Sequence, residues 1–212
     1  MINPSDITNF NRSTHDLEMF WIFSVCVAGK NSQVTAKKVQ QMYDELVDVH
    51  LGLGVSGTPS PMGLIYQADY RCTFMPILEK IKIGQYNRIY KALVESAFKI
   101  VASPSSLQGI DLRSCHATEL EKITGVGPKT ARFFIMHTQK DVAMAALDTH
   151  ILRWLRDLGY DAPKTTPSGD KYAYFETVFL KEASRRDMAS ADLDLHVWNH
   201  YSQNKTGVPL LL

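Results

Sequence analysis

The chain has 212 residues, 45% of them hydrophobic and 21% charged, with 23 basic against 22 acidic side chains. This is the composition of an ordinary globular protein with enough length for a substantial core, as one domain or two small ones. A formal net charge of +1 gives no overall attraction to nucleic acid, so any such surface must come from local clusters. The clusters are Lys30 with Lys37 and Lys38, Lys122 with Lys129 and Arg132, and Arg185 with Arg186. No run reaches the roughly 18 apolar residues of a membrane span. The longest, Met19 to Gly29, is short and lacks a basic leader, so no membrane partner and an intracellular location are expected. Cys26, Cys72 and Cys115 are odd in number and widely spaced, which disfavours a disulfide framework or a zinc site. His196 and His200 share a helical spacing, but no glutamate lies between them. Neither a metal nor a cofactor is expected.

Nearly every periodic segment has the helical spacing, and strand alternation is missing. Ser13-Thr14-His15-Asp16 reads as a capping box that opens an apolar helix through Leu17, Phe20, Trp21 and Val25 to Gly29. Asn31-Ser32-Gln33 forms a polar turn before a helix from about Thr35. The Gly-, Pro- and Ser-rich stretch Gly52 to Gly63 is expected to be a loop. Pro76 opens a short helix ending by Gly84, and Tyr86 to about Val101 is amphipathic until Pro104 breaks it. Thr118-Glu119-Leu120-Glu121 reads as a second capping box, starting the first helix of a hairpin. Its partner helix begins at Pro128, a favoured first-turn residue. Asp148 caps a helix carrying Ile151, Leu152 and Leu155 up to Gly159, and two final helices cover about 170–184 and 190–203. An all-α architecture with helix pairs around two small cores follows.

The hairpin sequence Ile123-Thr124-Gly125-Val126-Gly127-Pro128-Lys129-Thr130-Ala131 is the most informative segment. Two glycines allow a turn with positive φ and close approach to another molecule. The amides opening the second helix form an anion site suited to a phosphate. A lysine in that first turn, followed nineteen residues later by Asp148 in Leu147-Asp148-Thr149-His150, supplies a candidate nucleophile and a carboxylate. The bland alternative is an αα-turn with a solvated lysine and a plain helix cap.

These segments, with Asn31-Ser32-Gln33 and the tail Asp192-Leu193-Asp194-Leu195-His196-Val197-Trp198, resemble the helix–hairpin–helix (HhH-GPD) DNA glycosylase superfamily. Within it they are most similar to compact 8-oxoguanine DNA glycosylase/AP lyases. The resemblance implies two helical domains with an active cleft between them. Residues 22–132 would form a central bundle, and residues 1–21 with 133–212 a second domain. It implies Lys129 as the nucleophile of a glycosylase with strand-cleaving activity and Asp148 as the catalytic aspartate. Gly125 and Gly127 would hold the DNA backbone, Asn31 would fill the vacated base position, and Phe133 and Trp198 would wall the flipped base. The carbonyls of Glu121, Ile123 and Val126 match positions that hold a monovalent cation in relatives. The iron–sulfur branch is disfavoured because no cysteine follows Cys115. One departure is that the chain continues through Gly207 to Leu212, where compact relatives end on a lysine.

The implied partner is double-stranded DNA with a damaged base, bound by a monomer. For the amine of Lys129 to attack, it must be neutral; the positive end of its helix and partial burial would both favour that form. Two alternatives stay open: a glycosylase for a damaged pyrimidine or another modified base, and a non-catalytic helix–hairpin–helix module that binds DNA. An Asn31 that merely caps a helix is as good a reading as one that enters DNA.

Overall fold

The computed structural model describes residues 2–54, 57, 59–102, 109–203 and 209–210, and among them it is all-α with no strand. Two compact units emerge. The first comprises Met1–Pro4 with Asn11–Gly127, the second Ser5–Phe10 with Pro128–Leu212. The expected boundaries at 22 and 132 differ from these. Helix α1 (Thr14–Val27) packs on the helices that follow it and belongs wholly to the first unit. Helix α7 (Pro128–Met136) belongs wholly to the second.

In the first unit α1 is buried on every side from Leu17 to Val27, as expected for a helix apolar all round. It lies against α2 (Ser32–Leu51), α3 (Pro61–Tyr70) and α5 (Tyr86–Ala97). Helix α4 (Phe74–Lys80) and a π-turn over Phe98–Ala102 complete the packing, and the short α6 (Ala117–Leu120) precedes the hairpin. Phe20, Trp21, Phe23, Met42, Met62, Ile65 and Phe74 fill the core. Each such side chain contributes about 1.5–3 kcal/mol on burial.

Two sequence expectations need correction here. Ser13 does cap α1, its hydroxyl accepting the Asp16 N–H at 3.1 Å. The stretch expected as a loop to Gly63, however, turns helical at Pro61. Ser60 accepts the Gly63 N–H at 3.2 Å, and the buried Glu18 accepts the Met62 N–H at 2.8 Å. A carboxylate from a distant helix thus satisfies the start of α3, which local composition could not reveal. Before the hairpin, the reciprocal partner of Glu119 is His116, whose N–H it accepts at 2.7 Å. Helix α6 accordingly starts one residue before Thr118. The break expected at Pro104 lies outside the described residues.

The second unit contains α7, α8 (Thr149–Asp157), α9 (Gly169–Arg185) and α10 (Ser190–Gln203). Asp148 caps α8 and Gly159 follows it with φ +93°, both as expected. Trp154 and Phe179 meet edge to face at 5.9 Å in a core with Leu152, Leu155, Phe175, Leu193 and Val197. Of the tail beyond Gly207, Leu210 joins this core and donates its N–H to Tyr201 Oη at 3.2 Å. Residues 204–208, 211 and 212 lie outside the described residues.

Candidate functional site

Helix α7 carries Lys129 in its first turn, Phe133 one turn later, and His137 in the turn that follows the helix. Four-residue spacing stacks these side chains along one face. Lys129 Nζ stands 5.3 Å from the Phe133 ring centroid, and the Phe133 ring meets His137 edge-on at 5.1 Å. Phe133 also packs against Met136, Ala146 and Ala191. Lys129 and Phe133 are half-buried, whereas His137 is wholly buried.

Asp148 belongs to the extended segment before α8. Its Oδ1 accepts the N–H groups of His150 at 2.8 Å and Ile151 at 2.9 Å. Both capping bonds fall on one oxygen. Among the described residues Oδ2 receives no hydrogen bond, so capping and chemistry can coexist on a single carboxylate. The segment leading to it is pinned by Tyr172, whose hydroxyl donates to the Ala145 carbonyl at 2.6 Å and accepts the Leu147 N–H at 3.2 Å.

Helix α10 contributes Asp194 and, one turn later, Trp198. The Asp194 carboxyl is buried and lies 3.3 Å from His137 Nε2. Burial pushes its pKa upward. The hydrogen bond and charge of His137 pull against that rise, the Asp148 charge adds to it, and the Lys129 charge opposes it. The Trp198 indole is half-buried and meets the His150 ring edge-on at 6.2 Å. Lys129, Phe133, Asp148 and Trp198 therefore all belong to the second unit, gathered with Asp194, His137 and His150.

No family model and no solved structure matches this chain.

The remaining candidates belong to the first unit. Asn31 is the N-cap of α2, its Oδ1 accepting the Val34 N–H at 3.0 Å. Helix α2 begins at Ser32 for that reason, earlier than the expected Thr35. Gly125 has φ +85°, and a Cβ there would stand 3.1 Å from the Arg88 carbonyl oxygen. Gly127 does not share that conformation: its φ is not positive and a Cβ would meet nothing within 4 Å. Only one of the two hairpin glycines is thus needed for the turn. The Ile123 carbonyl proposed for a cation accepts the Val126 N–H at 3.0 Å.

Arg88 was not apparent from sequence. It donates to the Gly125 carbonyl at 3.2 Å and to the Val25 carbonyl at 2.9 Å, tying the hairpin turn to the end of α1. Lys30 donates to the carbonyls of Ile83 at 2.8 Å and Gly84 at 3.2 Å, and Lys38 donates to the Lys82 carbonyl. Burial lowers the Lys30 pKa, and the Arg88 and Lys38 charges act in the same direction. Two other basic clusters are partly engaged within the fold. Arg132 pairs with Glu176 at 2.8 Å, and Arg185 and Arg186 both pair with Glu182. Among the described residues no group of three or more His, Cys, Asp or Glu is arranged to hold a metal ion, and no helix is long and apolar enough to cross a membrane.

Proposed function

We propose that the protein is a bifunctional DNA glycosylase/AP lyase acting as a monomer on double-stranded DNA, with 8-oxoguanine as the foremost substrate. One observation carries the reading: the Lys129 amine stands 5.3 Å from the Phe133 ring on α7, in the same unit that holds Asp148 and Trp198. An amine, a carboxylate with one unengaged oxygen, and the half-buried faces of Phe133 and Trp198 all belong to one unit. The sequence resemblance assigns these same residues to attack, charge stabilisation and base stacking.

An amine cannot reach a stacked nucleotide, so the target is turned out of the duplex. The neutral Lys129 amine attacks C1′ as the glycosidic bond breaks. The base leaves with the bonding electron pair and takes up a proton, while the attacking nitrogen loses one. Asp148, held by two backbone N–H groups, stabilises the positive character that develops on the sugar. Opening of the sugar ring gives a Schiff base. Loss of a proton from C2′ then expels the 3′ phosphate with the C3′–O electron pair, and water releases Lys129.

Borohydride trapping tests the reading. The wild type is expected to form a covalent adduct with DNA carrying 8-oxoguanine or an abasic site, and Lys129→Gln to form none. Absence of an adduct from folded protein that binds both DNAs would defeat the proposal, as would continued nicking by Lys129→Gln.

A further inference from the structure

His137 has no role in the steps above, yet its imidazole is wholly buried and bonded on both sides. On one side is Asp194, 3.3 Å from Nε2; on the other is Thr8, whose Oγ1 lies 2.8 Å from Nδ1. Thr8 comes from the chain's beginning. The segment Ser5–Phe10 is set apart in sequence from the rest of the second unit but packs with it. It is fastened at several points. The Asn9 N–H donates to the His137 carbonyl at 3.2 Å, Asn199 of α10 donates to the Ser5 carbonyl at 3.4 Å, and Ile7 is buried. The segment is thus a strap across the turn after α7 and onto α10.

Hydrogen-bond complementarity gives this row a direction. A carboxylate only accepts, so the imidazole nitrogen facing Asp194 must carry the proton. A neutral imidazole then presents a bare Nδ1, which needs a donor, and a threonine hydroxyl is one. We propose that Thr8 is a positioning residue whose hydroxyl fixes His137 as the Nε2–H tautomer, and that His137 in turn holds the Asp194 carboxylate one turn before Trp198 on α10. The strap thereby becomes part of the site although Thr8 touches none of the reacting groups. Its consequence for base release rests on the glycosylase reading; the tautomer does not.

Nitrogen-15 NMR of the imidazole rings tests the structural half, with His137 assigned by its loss in His137→Gln. Wild type and Thr8→Ser are expected to show the Nε2–H pattern, and the near-isosteric Thr8→Val to lose its purity. A wild-type Nδ1–H pattern, or a Thr8→Val spectrum identical to wild type, would overturn the proposal. The functional half is a split between substrates. Thr8→Val should slow 8-oxoguanine release on the order of tenfold, through misplacement of Asp194. Trapping on abasic DNA, which needs no base held in place, should change by less than about twofold. Thr8→Ser should restore release. Equal loss on both DNAs, or no loss on either, would overturn the link to base release. A wild type inactive on every lesion would sink the glycosylase reading instead, and the NMR result would still decide the tautomer.

Discussion

Glu176 Oε1 is shared between the guanidinium of Arg132, at 2.8 Å from Nε, and the backbone N–H of Ala145, at 3.0 Å. Arg132 lies one turn beyond Lys129 on α7, and Ala145 lies three residues before Asp148. A single oxygen on α9 therefore fixes the helix that carries the candidate nucleophile and the segment that carries its carboxylate. The Arg132 guanidinium also stacks on Tyr172 at 4.8 Å, the ring whose hydroxyl pins the same segment. Burial holds that hydroxyl far above the usual phenol range, so it stays protonated and able to donate.

Glu176→Ala is expected to cost about 2–3 kcal/mol, because it removes an ion-pair partner of a half-buried arginine and the acceptor of a backbone donor. Glu176→Gln keeps a neutral acceptor and should cost about 1 kcal/mol. Urea unfolding midpoints measure both. A Glu176→Ala midpoint equal to the wild type would show that this oxygen does not hold the two segments together.

The two hairpin glycines should respond differently to the same substitution. Gly125→Ala places a side chain at φ +85° and 3.1 Å from a backbone oxygen that Arg88 cannot easily move. A loss of about 1–3 kcal/mol follows from the strained conformation and the crowding. Gly127→Ala meets open space and should stay within about 0.5 kcal/mol of wild type. Comparable losses for the two variants would show that Gly127 is also under constraint.

At Asp148 the cap and the chemistry can be separated. Asn retains an oxygen that accepts from His150 and Ile151, so Asp148→Asn should leave stability within about 0.5 kcal/mol of wild type. Asp148→Ala loses both bonds and should cost about 1 kcal/mol. On the glycosylase reading proposed above, both variants should slow base release from lesion-containing DNA by a factor on the order of 100 or more, since both lack the carboxylate charge. Single-turnover release set beside thermal unfolding makes the comparison. If Asp148→Asn is as active as wild type, the aspartate is only a cap.

Several helix boundaries were legible from local signals. Pro128 opening α7, Asp148 capping α8 and Gly159 ending it are written into neighbouring residues, and the structure has all three. Helix α3 was missed although Ser60 and Pro61 are a local cap and first-turn proline, because they sit in a Gly-, Pro- and Ser-rich stretch; the other support of its first turn, Glu18, lies 44 positions away from Met62 along the chain. The site divides in the same way. His137 was within reach of a helical-spacing argument, being eight residues beyond Lys129 on the same face. Thr8 and Arg88 were not, because each acts across a long stretch of chain through hydrogen bonds that leave no periodic trace. Asn31 shows a further limit. The cap is visible in the fold, while a role in DNA would require a DNA partner.

Glu182 should make the second unit sensitive to acid. It is buried, and burial alone would raise its pKa, but hydrogen bonds from Tyr160 and Arg186 and the charges of Arg186 and Arg185 lower it on balance. A lowered folded-state value means that stability is fully present above the unfolded value of about 4.3 and is lost as pH falls through the folded value. Glu182→Gln should therefore be about 1–3 kcal/mol less stable than wild type at pH 7, because it removes the charge that pairs with Arg185 and Arg186. The gap should narrow as pH falls below about 4.3, where the unfolded chain takes up its proton first, and close once pH has passed below the folded value. Urea titrations at several pH values would show a pH-independent gap if the ion pairs contribute nothing.

Asp194 should behave in the opposite sense. Burial raises its pKa most, with the Asp148 charge adding to the rise, against the hydrogen bond and charge of His137 and the charge of Lys129. A raised folded-state value means that its favourable contribution is present below the unfolded value of about 3.9 and is lost as pH climbs through the folded value. Removing the ionisable group removes that loss, so the stability of Asp194→Asn relative to wild type should improve as pH rises above about 3.9 and level off once the folded value is passed. If the protein is a glycosylase, the same variant should release the base more slowly, because a buried carboxylate kept at a cost in stability is what a working site requires. Unfolding midpoints across that pH range, read beside single-turnover rates, test both halves. A stability difference that stays flat or falls with rising pH would mean that His137 compensates the buried charge fully, and that Asp194 is an ordinary structural ion pair.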